Sequence, residues 1–96
     1  MSRQPMFKFR LYVAGDTLNS TQALANLTSL CRQYLPSRHQ IEVVDLLREP
    51  KRALADSVLM TPTLVILAPS PVRRIVGTLN QNEIVLRTLG LGDFAV

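Results

Sequence analysis

Apolar side chains in this 96-residue chain are spaced by two periods in alternation, and that alternation constrains the fold more than any other feature. From Met6 to Ala14, Lys8 and Arg10 alternate with Phe7, Phe9 and Leu11, the period of two expected of a half-buried strand. Gly15-Asp16-Thr17 breaks it. Ala23, Leu24, Leu27, Leu30, Cys31, Tyr34 and Leu35 then recur on one helical stripe that ends before Pro36, since a residue ahead of proline is pushed out of the helical region. The helix is expected to start near Ser20, capped by Asn19, with Gln22 reaching back as in a capping box. Gln40 to Leu47 reads as a second strand, and Pro50 suits the first turn of a helix over Lys51 to Leu59 that stops at Thr61-Pro62. Thr63 to Ala68 is a β-rich apolar run fit for a buried strand. Pro69-Ser70-Pro71 leads into Val72 to Val76, a hairpin partner closed by Gly77. Asn80, with Glu83 three residues later, is the expected cap of a last helix running through Ile84, Val85, Leu86 and Leu89 to Gly90. The order is β-α-β-α-β-β-α.

The length suits one domain over 1–96, with loose ends expected at 1–5 and 92–96. Met1-Ser2-Arg3-Gln4-Pro5 leads into no signal-peptide core, and the longest apolar run, Leu64 to Ala68, is far below a membrane span. A single cysteine excludes an intramolecular disulfide and a CxxC pair, so a reducing, cytoplasmic setting is expected. Eleven Lys and Arg against seven Asp and Glu give a net charge of +4, which favours acidic partners. The basic residues are dispersed and lack the aromatic interleaving of a nucleic-acid-binding surface.

An α/β chain in this order, with Thr-Pro directly before the third strand, resembles thioredoxin-like folds, in which that proline is usually cis. Redox members of that fold carry cysteines between the first strand and helix. Here that loop is Gly15-Asp16-Thr17-Leu18, so thiol-disulfide chemistry is excluded at that position. Cys31 lies within the helical stripe and is expected in the core. His39, the one histidine, is expected as a solvated turn residue, and Asp16 and Asp45 fit turn and cap roles better than a metal site. Glycines form no phosphate-binding loop. No catalytic constellation, metal site or cofactor site emerges. Arg73-Arg74 is the one adjacent basic pair in a strand, where alternation sends one side chain to each face. An arginine exposed near Gly77 suits an acidic protein groove.

Leu11-Tyr12-Val13-Ala14-Gly15, Val44-Asp45, Thr61-Pro62-Thr63-Leu64 and Pro71-Val72-Arg73-Arg74-Ile75-Val76-Gly77, in this order, resemble the KaiB family of circadian clock proteins. The resemblance covers roughly Phe9 to Leu91. It implies a non-enzymatic regulator that binds the ring ATPase KaiC and modulates its phosphorylation and ATPase cycle, with KaiA or a sensor kinase as further partners. It also implies a homo-oligomeric resting state, dimer or tetramer, and exchange between β-α-β-α-β-β-α and a second arrangement, β-α-β-β-α-α-β. Pro62, Pro69, Pro71 and the permissive Gly77 are physically suitable positions for such a switch. Arg10 and Arg74 match basic partner-binding positions of the family, and Arg73 is grouped with them as part of the same strand. Gln22 stands for an arginine, Glu42 for a lysine and Ser57 for a lysine, which alters the family's basic surface. The alternatives are a thioredoxin-like enzyme lacking its own cysteine pair and a sensor-type interaction domain.

Overall fold

The computed structural model describes residues 5–91. Of the loose ends expected at 1–5 and 92–96, residues 1–4 and 92–96 lie outside the described residues. The elements are β1 (Phe7–Val13), α1 (Leu18–Tyr34), β2 (His39–Asp45), α2 (Pro50–Ala55), β3 (Thr63–Ala68), β4 (Arg73–Val76) and α3 (Asn82–Thr88). This is the first of the two expected orders. The strands form one sheet, β2-β1-β3-β4, with β1 parallel to β2 and antiparallel to β3, and β3 antiparallel to β4.

Strand alternation divides the core in two. Phe7, Phe9, Leu11, Val13, Leu64 and Ile66 form one cluster with Ala23, Leu27, Leu30 and Cys31 from α1, Leu35 at its C-cap and Val85 from α3. Tyr12, Val44 and Val65 belong to a smaller cluster with Ala53 of α2 and with Val58. Cys31 is buried, as its place in the stripe requires, and burial pushes its thiol up to about 11. Tyr34 departs from the stripe and is partly exposed at its margin.

Helix ends account for most boundary differences. The cap of α1 is Thr17 rather than Asn19: its Oγ1 accepts from the Ser20 backbone N–H, while the Ser20 hydroxyl accepts from Ala14 N–H. Asn19 therefore lies inside the first turn. At α3 the cap position is Gln81, without a side-chain cap bond, and Asn80 precedes it. His39 is not a turn residue; it opens β2, with Nδ1 2.7 Å from the Leu35 carbonyl oxygen. That strand ends at Asp45, earlier than Leu47, because Asp45 Oδ1 accepts from both Gly15 N–H and Leu47 N–H and turns the chain.

The expected helix to Leu59 stops at Ala55 because Ser57 takes φ +57°. Ser57 N–H donates to the Leu54 carbonyl and Val58 N–H to the Ala53 carbonyl, a Schellman closure with Val58 packed in the same cluster as Ala53. At the end of α3 the same closure has Gly90 at φ +78°, with Gly90 N–H donating to Arg87 and Leu91 N–H to Leu86. Left-handed backbone costs a non-glycine residue about 1–2 kcal/mol, partly offset by about 0.4–1 kcal/mol of unfolded-chain entropy that glycine adds. Ser57→Gly is therefore expected to stabilise the domain by about 0.5–1 kcal/mol, read as a raised thermal midpoint. A lowered midpoint would contradict this account of the α2 end.

Candidate polar interaction surface

Cross-strand register places Glu42 of β2, Arg10 of β1, Val65 of β3 and Arg74 of β4 in one row across the sheet. Their side chains share the face covered by α2, as do those of Tyr12 and Val44. Arg10 Nε donates to Glu42 Oε1 at 2.8 Å and Arg10 Nη1 to Asp56 Oδ2 at 3.0 Å. Arg52 of α2 reaches the other Glu42 oxygen, Nη2 to Oε2 at 2.8 Å, and pairs more loosely with Glu49 at 3.6 Å. Tyr12, its ring fully buried, brings its hydroxyl 2.5 Å from Asp56 Oδ2 and 2.9 Å from the Arg52 carbonyl oxygen. One hydroxyl proton faces two acceptors, and the charged carboxylate is the stronger.

These contacts set the titration of the cluster. Hydrogen bonds from Arg10 and then Arg52 hold the Glu42 carboxyl below its ordinary value. Burial alone would raise Asp56, but hydrogen bonds from Tyr12 and Arg10 outweigh it and leave Asp56 lowered. Burial, followed by the bond to Asp56, pushes the Tyr12 phenol up to about 12. Hydrogen bonds to Glu42 and then Asp56 raise Arg10 further above its already high value. Depressed carboxylates stabilise the fold above their unfolded values near 4, and that contribution disappears as pH falls through the lower folded values. Stability is therefore expected to fall below about pH 4, with the double variant Glu42→Gln, Asp56→Asn showing a flatter profile in urea titrations. Equal slopes in both proteins would remove the cluster from the acid response.

Arg10 and Arg74 come together on this face, whereas Arg73 lies on the other. Arg74 Nε and Nη2 donate to the Asp56 carbonyl at 3.0 and 2.8 Å. That carbonyl is at the C-cap of α2, where helix carbonyls lack intrahelical partners and carry partial negative charge. Among the described residues no carboxylate lies within ion-pair distance of Arg74, which stands at an exposed strand position, and the Asp56 carboxylate feels its charge only through space. Arg73 instead donates to the Thr88 carbonyl at the end of α3, and to the Pro69 and Pro71 carbonyls at 3.3 and 3.2 Å. It ties the hairpin to α3.

Pro62 and Gly77 meet at one end of the β3–β4 hairpin, where Gly77 N–H donates to the Pro62 carbonyl at 2.9 Å. Pro69 and Pro71 lie at its other end, and the Thr61-Pro62, Ala68-Pro69 and Ser70-Pro71 bonds are all cis. Beside the cluster, Leu54, Leu59 and Met60 are 70%, 86% and 62% exposed. A groove of about 340 Å³ runs along Ile75 to Gln81 and Ile84. Among the described residues no group of His, Cys, Asp and Glu is arranged for a metal ion, and no helix is long and apolar enough to cross a membrane. Sequence reasoning missed Tyr12 and Asp56 as site residues. Asp45, by contrast, takes the turn role expected of it.

The family model for the KaiB domain matches residues 10–91. The chain is 39% identical over 82 residues to the circadian clock protein KaiB3 of Synechocystis sp., covering 85% of this chain and 78% of that protein. It is 42% identical over 91 residues to the circadian clock oscillator protein KaiB of Prochlorococcus marinus, covering 95% and 76%. Among solved structures, the N-terminal domain of Synechococcus elongatus SasA superposes with a TM-score of 0.76 at 13% identity, over 95% of this chain and 87% of that one. Chloroplastic thioredoxin z superposes with a TM-score of 0.74 at 16% identity, over 92% and 80%. These last two likenesses establish a thioredoxin-like fold.

Proposed function

The chain belongs to the KaiB family of circadian clock proteins, and from that premise we propose that it is a non-enzymatic regulator that binds a KaiC-type ring ATPase and modulates its phosphorylation and ATPase cycle. The observation that carries this reading is the exposed Arg74, which has no carboxylate within ion-pair distance among the described residues, whereas its neighbours in the polar cluster, Arg10 and Arg52, have carboxylate partners. Exposed Leu54, Leu59 and Met60 add apolar area on the segment that follows and includes α2. An arginine anchor beside apolar side chains is the composition that concentrates binding energy at protein interfaces. The reading without catalysis is supported by Cys31, which is buried with its thiol raised to about 11, a poor nucleophile. The proposal keeps KaiA and a sensor kinase among the further partners.

Binding is tested with the cognate KaiC-type ATPase in both phosphorylation states, by size exclusion and by titration calorimetry. Association is expected in at least one state, weakening as salt is raised because an exposed charge contributes. Absence of binding in both states removes the proposal.

The same reading includes a homo-oligomeric resting state in exchange with the arrangement described above. Gly77 is a physical point of entry: at φ +117° it occupies backbone that L side chains rarely adopt, and it is bonded to Pro62 at the mouth of the hairpin. Nothing lies within 4 Å of a Cβ placed there, so backbone strain alone opposes a side chain. Gly77→Ala is expected to destabilise this arrangement by about 1–3 kcal/mol and to slow association with the ATPase. Equal association kinetics in the two proteins would count against Gly77 as part of the exchange.

A further inference from the structure

We propose that Tyr12 is the positioning residue for Arg74: its hydroxyl, with Arg10, clamps the Asp56 carboxylate from beneath, and the carbonyl of the clamped residue aims the Arg74 guanidinium outward. This rests on the partner-binding role proposed for Arg74 and assigns what sets its geometry.

The relay crosses three elements. Tyr12 is on β1 with a fully buried ring, so its hydroxyl is held at a fixed place in the smaller core cluster. Asp56 follows the last residue of α2 and precedes Ser57 at φ +57°, where the backbone leaves the helical repeat. Its peptide unit is held on one side by the Ser57 N–H bond to the Leu54 carbonyl, and the side-chain tether adds a second restraint from the sheet side. The carboxylate is held by Tyr12 and Arg10 on one side, and the carbonyl accepts two N–H groups of Arg74 on the other. A two-point hold on a planar guanidinium fixes its orientation, and among the described residues Nη1 has no acceptor of its own. Val65 separates Arg10 from Arg74 in the strand row, so the two arginines communicate through Asp56 rather than by contact along the sheet.

Holding Arg74 before a partner arrives removes part of the ordering cost of binding, so losing the clamp weakens binding without removing the cation. Tyr12→Phe keeps the ring in the core and deletes only the hydroxyl. A partner-free readout comes first. By NMR, the Arg74 Nε–H of the wild type is expected to be protected from solvent exchange, and in Tyr12→Phe that protection falls several-fold. Arg10 Nε–H, bonded to Glu42, keeps its protection. Unchanged Arg74 protection, or equal losses at Arg10 and Arg74, overturns the proposal whatever the partner does.

Titration with the KaiC-type ATPase comes second. Loss of the clamp is expected to weaken binding about three- to tenfold, the worth of one hydrogen bond, and the loss vanishes when Tyr12→Phe is introduced into Arg74→Ala. An equal loss in both backgrounds assigns Tyr12 a general structural role and overturns the proposal. Should Tyr12→Phe not fold, Asp56→Asn is judged by the same two criteria, since it weakens the hold on the carboxylate side while keeping the backbone carbonyl. A wild type that does not bind the ATPase defeats the functional reading alone, and the exchange measurement still decides the role of Tyr12.

Discussion

Arg74→Glu is expected to lower affinity for the KaiC-type ATPase by about 30-fold or more, about 2 kcal/mol, the scale of an interface hot spot. The wild-type guanidinium has no carboxylate partner among the described residues, so an acidic partner gains its charge without breaking an internal ion pair. Reversal both removes that gain and sets a carboxylate against the partner and against the α2 C-cap carbonyl, where negative charge is disfavoured. The fold should survive, because Arg74 is an exposed residue on an edge strand. Arg73→Glu provides the contrast. It removes bonds to Pro69, Pro71 and Thr88 on the opposite face, so it should lower the melting midpoint and leave affinity of the folded protein nearly unchanged. Calorimetric affinities beside thermal melts separate the two cases. If Arg74→Glu binds within threefold of wild type, Arg74 is not the anchor.

The two arginines show why the strands were legible in the sequence. A period of two fixes which side chains share a face whatever the partners are, and it placed Arg73 and Arg74 on opposite faces. The stripe of α1 was equally legible, down to burial of Cys31 and the stop before Pro36. Helix ends were not uniformly so. Gly90 announces a left-handed stop because glycine is the residue that enters that region freely, but Ser57 builds the same closure without the same signal. Thr17 and Asn19 are both capable caps, and the choice went to the residue whose hydroxyl meets Ser20 N–H. Composition cannot rank those two.

The polar cluster was least legible because its bonds join residues far apart in the chain. Arg10 is separated from Asp56 by 46 positions and Tyr12 from Asp56 by 44. Glu42 reads in sequence as a lost cation. In the fold it bridges Arg10 and Arg52, so the change compensates charge within the molecule as well as removing one from its surface. Tyr12 reads as one more apolar residue in a strand, since its ring packs as such, and only the register with the α2 end gives the hydroxyl a partner. A buried tyrosine must satisfy its O–H, and that requirement is the one sequence signal that points past packing.

Leu64→Ala is expected to destabilise the domain by about 3 kcal/mol, through lost transfer energy and the cavity left behind. Leu64 is fully buried and stands between Leu11 and Ile75 in the cross-strand row, under α1 and α3, so no solvent-exposed group can collapse into the space. A chain of this size has a stability of roughly 5–10 kcal/mol, and its melting midpoint should fall by about 12–20 °C. Val65→Ala, one residue along, empties space on the other face, beside Ala53, Val58 and the Tyr12 ring, at a smaller cost of about 2 kcal/mol. The order of effects should reverse for binding. Well below its melting midpoint, Leu64→Ala should keep wild-type affinity because its cavity faces away from Arg74, whereas Val65→Ala loosens the seat of α2 and with it the carbonyl that holds Arg74. Thermal melts and calorimetry on the pair test both halves, and equal losses of affinity in the two variants would show that the sheet does not insulate one face from the other.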